Sequence, residues 1–356
     1  MTLNSAHPSP HRILVVGASF GLLPAAKIAA AGHQVTVVGR ADEGAVIAQQ
    51  GVAIHFSEHH ILRPPMGDRG ISLATPSQVN PEDFDLAIFA IQEPQAQSRD
   101  ISDLISRIAD RLPVASIMNM PPPPFLKRVP SLPPTLGESA YENRSVWQSI
   151  PPERMTLASP DPQAIRPDPA RPGHLQVTLA SNFKFAPFAR PEDQAILARI
   201  TRDASRLRET WGPVPVHLLT RGSIFTPLAK WPMLVTGNCR CLRMNGGPVS
   251  IRDAVNQDLN VSRKIYEAVT VALRATGAPP SSLVPFESYV NATQSLVRPS
   301  SLALALEAGA TSVERIDILV LNLMQHMNCD PESMKIMAAV SALVERSLVR
   351  NRMAAK

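Results

Sequence analysis

The sequence predicts an α/β fold, a doubly wound parallel sheet, in its N-terminal half, followed by an all-α C-terminal half. Three observations predict it. β-Branched runs alternate with helix formers from Arg12 to Met118, and after Pro215 the apolar spacing becomes helical and stays so. The chain is also 356 residues long, more than one hydrophobic core usually serves, so two domains are expected.

The elements follow in order. Residues 1–11 are polar and read as a loose tail. Arg12-Ile13-Leu14-Val15-Val16 runs into Gly17, the pattern of a buried parallel strand. LLPAAKIAAA (22–31) is a helix in which Pro24 fits only the first turn, Gly32 closes it, and QVTVV (34–38) is the next strand. A strand–turn–helix–strand unit of about 30 residues opens a Rossmann-type sheet. Further strands are expected at 52–56, 85–91 and 114–118, with a helix at 98–111. The stretch 121–172 is a Pro-rich loop, and alternating residues at 153–158 and 175–181 predict strands at the domain edge. Pro191 opens a helix to Trp211 with Ile196, Ile200, Ala204, Leu207 and Trp211 along one face. Helices are then expected at 217–242, 250–276, 299–308, 312–327 and 331–348. The predicted domains are 12–215, of Rossmann type, and 216–356, all-α.

Composition narrows the function. Hydrophobic residues make up 44% and charged residues 18%, which excludes a disordered chain. Aromatics are 4%, too few for a platform of stacked nucleic-acid bases. The net charge of +5 is scattered without a basic run, so it argues against a nucleic-acid surface and suits a polyanionic cofactor. Cys239, Cys241 and Cys329 are too few for a disulfide framework, and Cys239-Arg240-Cys241 lacks zinc-site spacing. His55, His59 and His60 fall in a polar loop and read as solvated, so no metal is expected. The first residues lack the apolar segment of a secretory signal, and no apolar stretch approaches a membrane span. A cytoplasmic protein with a small-molecule partner is the expectation, with self-association as a homodimer left open.

The chemistry-bearing motif is the first turn, Gly17-Ala18-Ser19-Phe20-Gly21. A dinucleotide turn needs glycines so that the backbone can approach a pyrophosphate at the helix N-terminus. Here the loop is one residue short and Ser19 replaces the middle glycine, so a tight turn without a ligand weighs equally. The same residues spell GxSxG, yet a nucleophile elbow on the first strand fits this context less well. The second strand ends at Gly39-Arg40, where arginine suits the 2′-phosphate of NADP, while Asp42 and Glu43 keep NAD open.

From GLLPAAKIAAAGHQVTVVGR (21–40) onward the chain resembles the ketopantoate reductases (2-dehydropantoate 2-reductases). The similarity takes in that family's Gly-His turn, its NADP-reading arginine and its order of a Rossmann half before a helical half. It extends from about 12 to 348. The strand at 85–90 leads into Ile91-Gln92-Glu93-Pro94-Gln95, where Gln92 replaces a family lysine and Gln95 keeps a family glutamine. Asn119 matches an asparagine beside nicotinamide and substrate, and Met120 departs from a glycine. Lys230 matches the catalytic lysine, Asn238 the second of two asparagines, and Leu234 replaces the first. Ser301 matches a substrate-binding serine, and Ala305 replaces an aspartate. The family glutamate aligns with Arg315, so Glu314 serves only with a one-residue shift; a plain acid at a helix start weighs equally.

The resemblance implies an NADPH-dependent reductase of a small 2-oxo acid, with Lys230 as proton donor. Asn119, Asn238, Ser301 and Glu314 would lie on the substrate; Gly17, Ala18, Ser19, Phe20, Gly21, Arg40, Gln92 and Asn119 on NADP. The alternatives are a reductase of an imine or another carbonyl, and a non-catalytic NADP-binding or sensor protein.

Overall fold

The computed structural model describes residues 9–161, 164–243 and 246–355, so most of the tail expected at 1–11 lies outside the described residues. The chain forms two compact units. The first holds Met1–Ile91, Arg99–Ile117 and Ser149–Arg221; the second holds Gln92–Ser98, Met118–Gln148 and Gly222–Lys356.

Elements of the first unit begin with β1 (Arg12–Val16), α1 (Leu22–Ala30), β2 (Gln34–Val38), α2 (Ala41–Gln50), β3 (Ala53–His55), β4 (Ile61–Leu62), β5 (Ile71–Ala74) and β6 (Leu86–Phe89). Next come α3 (Arg99–Ile108) and β7 (Val114–Ser116); a short helix, α4 (Pro123–Leu126), belongs to the second unit. The first unit resumes with β8 (Met155–Asp161), β9 (Ala164–Ile165), β10 (His174–Val177), β11 (Ser181–Phe185), α5 (Pro191–Trp211) and β12 (Val216–Thr220). The main sheet runs β12-β11-β8-β7-β6-β1-β2-β5, and from β5 to β8 every neighbouring pair is parallel. Read from β5, the order is that of a doubly wound dinucleotide-binding sheet. Its central strand carries the most apolar run: Ile13, Leu14, Val15 and Val16 are fully buried. α1 is buried along almost its whole length, and even Lys27 is enclosed, donating to the carbonyls of Val214 (3.3 Å) and Val216. Burial lowers that ammonium to about 8.

Three expectations change here. The strand at 52–56 leaves the main sheet: β3 pairs with β4 and β10 in a separate four-stranded sheet, β4-β3-β10-β9. The third Rossmann position goes to β5, whose Ile-Ser-Leu-Ala is too polar to announce a strand. The helix expected at 217–242 is reduced to short helical turns between 228 and 241, and residues 216–220 form β12, parallel to β11. Its alternating burial shows a period of two, which five residues beside a helix-rich region conceal.

The second unit is helical: α6 (Trp231–Met233), α7 (Ile251–Asn256), α8 (Leu259–Ala275), α9 (Phe286–Thr293), α10 (Ser301–Glu307), α11 (Ile316–His326) and α12 (Pro331–Ala354). Part of the Pro-rich segment belongs to it, with Trp147 fully buried and Gly137 so close to α11 that a Cβ would lie 2.3 Å from Leu319 Cδ1. The helix expected at 250–276 is two, broken before Asp258, which caps α8 by accepting the Asn260 and Val261 amides, each at 3.0 Å. Tyr266 stacks on Tyr289 with ring centroids 5.4 Å apart, inside a cluster with Val255 and Phe286. Among the described residues no helix is long and apolar enough to cross a membrane.

Candidate active site

The sequence-selected residues fall in both units: Gly17–Gly21 and Arg40 in the first, and Gln92 and Asn119, expected on the cofactor, in the second with Lys230, Asn238, Ser301 and Glu314. In the first unit, β1 ends at the glycine turn. Gly17 has φ +118°, and a Cβ there would stand 2.4 Å from the Ala90 carbonyl oxygen, so no other residue fits without moving β6's exit. A Cβ on Gly39 would meet Ala18 Cβ at 2.7 Å, which brings the end of β2 against the turn. Ser19 and Phe20 are exposed at the N-terminus of α1. The close backbone approaches at Gly17 and Gly39 leave a tight turn at the N-terminus of α1, which fits a pyrophosphate. Arg40 stands at the start of α2, 77% exposed, with its guanidinium 3.4 Å from Asp42 and 3.8 Å from Glu43.

In the second unit, a narrow pocket of about 30 Å³ is lined by Gln92, Asn119, Asn238, Ser301 and Glu314 among the apolar side chains of Leu234, Leu302, Ala305, Val313 and Ile316. Five of the positions selected from the sequence therefore share one cavity. Each is delivered by a local device. Gln92 opens a 3₁₀ turn after β6, its amide held by Gln95 Oε1 at 2.8 Å. Asn119 follows β7 by three residues. Asn238 ends a π-helical turn, Leu234–Asn238, that continues α6. That wide turn accommodates Tyr289, whose hydroxyl donates to the Met233 carbonyl (3.1 Å) and would lie 2.1 Å from a Cβ on Gly237. Ser300 accepts the Ala303 amide at 3.1 Å as the cap of α10 and donates to the Asn238 carbonyl at 2.8 Å, which brings Ser301 beside Asn238.

Lys230 is half-buried at the end of the 3₁₀ turn Leu228–Lys230, four residues before Leu234. It is not among the residues that line the pocket; Leu234 is the first residue of this segment to do so.

The local fold distinguishes Glu314 from Arg315. Helix α11 starts at Ile316, and Arg315 turns away to make a forked pair with Asp317 (3.0 and 2.9 Å) and a bond to Glu345 (2.5 Å). Glu314, just before the helix, faces the pocket and accepts the Met120 amide at 3.4 Å. Burial raises its carboxyl to about 7; the Glu93 carboxylate adds to the rise, while the Met120 and Glu93 amides and the Asn119 side chain oppose it.

Glu93 has no counterpart in the sequence reading. It is 1% exposed and accepts Gln97 Nε2 at 2.7 Å. Burial, reinforced by Glu142, raises it to about 7. Ser312 donates to Glu142, and the buried Tyr141 hydroxyl donates to the Pro121 carbonyl at 2.6 Å. Burial pushes that phenol far above its usual range, so it stays protonated. Nothing local distinguishes Glu93 from a solvated turn acid; Tyr141 and Glu142 of the Pro-rich stretch lie near enough to act on it electrostatically.

The fold and the pocket define a class: a doubly wound dinucleotide-type sheet joined to a helical unit that carries a small polar-and-apolar pocket. No protein-family model and no curated protein matches the sequence. Solved structures share the fold. One is a PanE/ApbA family ketopantoate reductase from Ralstonia eutropha, at 15% identity and TM-score 0.66, covering 96% of this chain and 99% of that one. A second is D-mandelate dehydrogenase with NADH and anilino(oxo)acetate, at 12% identity and TM-score 0.66, with the same coverage. A third is 2-dehydropantoate 2-reductase from Methylococcus capsulatus, at 14% identity and TM-score 0.63, covering 96% of this chain and 97% of that one.

Proposed function

We propose that this chain is an NAD(P)-dependent reductase of a small 2-oxo acid, of ketopantoate reductase type, with NADP as the preferred cofactor. The observation that carries the reading is the convergence of Asn119, Asn238, Ser301 and Glu314 on one narrow pocket, with Lys230 a turn away. The similarity to D-mandelate dehydrogenase and to ketopantoate reductases supports this class of chemistry.

The Gly17–Gly21 turn and Arg40 would hold the cofactor, whose nicotinamide supplies a hydride when bound. The protein's own residues then have three tasks. Lys230 Nζ holds a proton for the carbonyl oxygen, which becomes an alkoxide as the carbon is reduced. The carboxamides of Asn119 and Asn238 and the hydroxyl of Ser301 offer donors that suit a carboxylate and fix the carbonyl's orientation. Glu314, with its carboxyl raised to about 7, is protonated below neutrality and can there donate a hydrogen bond to the substrate. The apolar lining excludes water from the reacting carbonyl and favours a hydrocarbon substituent.

The test is oxidation of NADPH and NADH, followed by nicotinamide absorbance, with a panel of 2-oxo acids and the corresponding imines. Turnover of a 2-oxo acid is expected. Turnover confined to imines would move the chemistry to C=N reduction. Nucleotide binding without any oxidation would establish the non-catalytic reading.

A further inference from the structure

Arg166, next to β9 in the Pro-rich segment, is not absorbed by the reading above. It lies in the first unit, where its guanidinium reaches two elements of the nucleotide cradle. One terminal nitrogen pairs with Glu43 Oε1 at 2.8 Å, and the other donates to the Ala18 carbonyl at 3.2 Å. Ala18 is the second residue of the glycine turn, and Glu43 lies in the first turn of α2. The Nε of Arg166 is buried and has no hydrogen-bond partner among the described residues.

Glu43 therefore sits between two arginines, Arg166 on Oε1 and Arg40 on Oε2 (3.8 Å). Arg40 also engages Asp42 at 3.4 Å. An acid at the end of the second strand ordinarily accepts the ribose hydroxyls of NAD, but here both nearby acids are engaged by guanidinium groups. A 2′-phosphate brings nearly two negative charges to the same place, and two guanidinium groups match it better than one.

We propose that Arg166 is a specificity-determining residue of the cofactor site: with Arg40 it forms a two-arginine receptor for the 2′-phosphate, and Glu43 is the anion that occupies both guanidinium groups until the phosphate takes its place. The proposal rests on the reading of the chain as an NAD(P)-dependent reductase. A tie between β9 and the glycine turn, serving shape alone, is the competing role. It predicts equal losses for every nucleotide, because all of them use the turn.

The experiment is calorimetric titration of the full chain and its variants with NADPH, NADH, 2′,5′-ADP and 5′-ADP, so that binding is read without turnover. Arg166→Ala should weaken NADPH and 2′,5′-ADP about tenfold to a hundredfold and leave NADH and 5′-ADP within about twofold. Arg40→Ala should show the same selectivity. Glu43→Gln should raise the NADPH-to-NADH affinity ratio, because it removes the carboxylate that competes for both arginines; this variant keeps the test decisive if Arg166→Ala does not fold. Equal losses for all four ligands in Arg166→Ala, or an unchanged ratio in Glu43→Gln, would overturn the role of Arg166 while leaving the reductase reading intact. No binding of any nucleotide to the unaltered chain would overturn both.

Discussion

Glu93→Gln is a demanding perturbation because its sign depends on pH. The Glu93 carboxyl titrates at about 7 in the folded chain, against 4.5 for an ordinary glutamate, because it is buried and faces Glu142. The folded state therefore keeps a proton that the unfolded state loses between these values. Stability from this group is full below the unfolded pKa and is lost as pH rises through 7. At ~1.36 kcal/mol per pKa unit, the full loss is about 3.4 kcal/mol, of which about 2.5 kcal/mol falls between about pH 5 and about pH 8.5. Glutamine has the same shape, carries no charge, and retains an oxygen to accept Gln97 Nε2. Glu93→Gln should thus stabilise the protein by about 1–2.5 kcal/mol more at about pH 8.5 than at about pH 5. Urea denaturation of both proteins at the two pH values measures the difference. The Glu93 charge also raises the Glu314 carboxyl, so any activity that requires protonated Glu314 should lose its alkaline limb at lower pH in the variant. A stability difference that stays flat with pH, or a larger deficit at high pH, would refute the placement of Glu93 as a buried, charge-penalised acid.

Three further outcomes are expected. Lys230→Ala should lower kcat by about 10²–10⁴ with NADPH affinity unchanged by titration, and near-normal kcat in a folded variant would remove the lysine from proton transfer. Arg315→Leu should cost about 3–5 kcal/mol in denaturant unfolding, because it strands the buried Asp317 carboxylate; Asp317→Asn in the same chain should recover part of that loss. Since Leu234, Leu302, Ala305, Val313 and Ile316 line the pocket with apolar groups, ketopantoate should be a poorer substrate than 2-oxo acids with branched alkyl chains. A kcat/KM preference for ketopantoate of about a hundredfold or more would show that the remaining polar groups suffice to read its hydroxyl.

By itself the sequence determined what short-range pattern controls. The unit β1–turn–α1–β2 was legible because an apolar strand, a glycine that tolerates φ +118° and a run of helix formers each act within a few residues. Asn119, Asn238, Ser301 and Glu314 could be selected through the resemblance to the ketopantoate reductases, which short motifs around them carry. Only the tertiary structure decided what depends on pairing across long separations. β12 is a strand because β11 offers it a parallel edge, and β5, not 52–56, takes the place beside β2. Glu314 rather than Arg315 faces the pocket because Arg315 finds Asp317 and Glu345 on helices α11 and α12. Glu93 becomes a perturbed acid because it is buried near Glu142, about fifty positions away, and Arg166 reaches the glycine turn across a hundred and forty-eight positions. Desolvation and ion pairing depend on distance in space, and neither leaves a periodic trace along the chain.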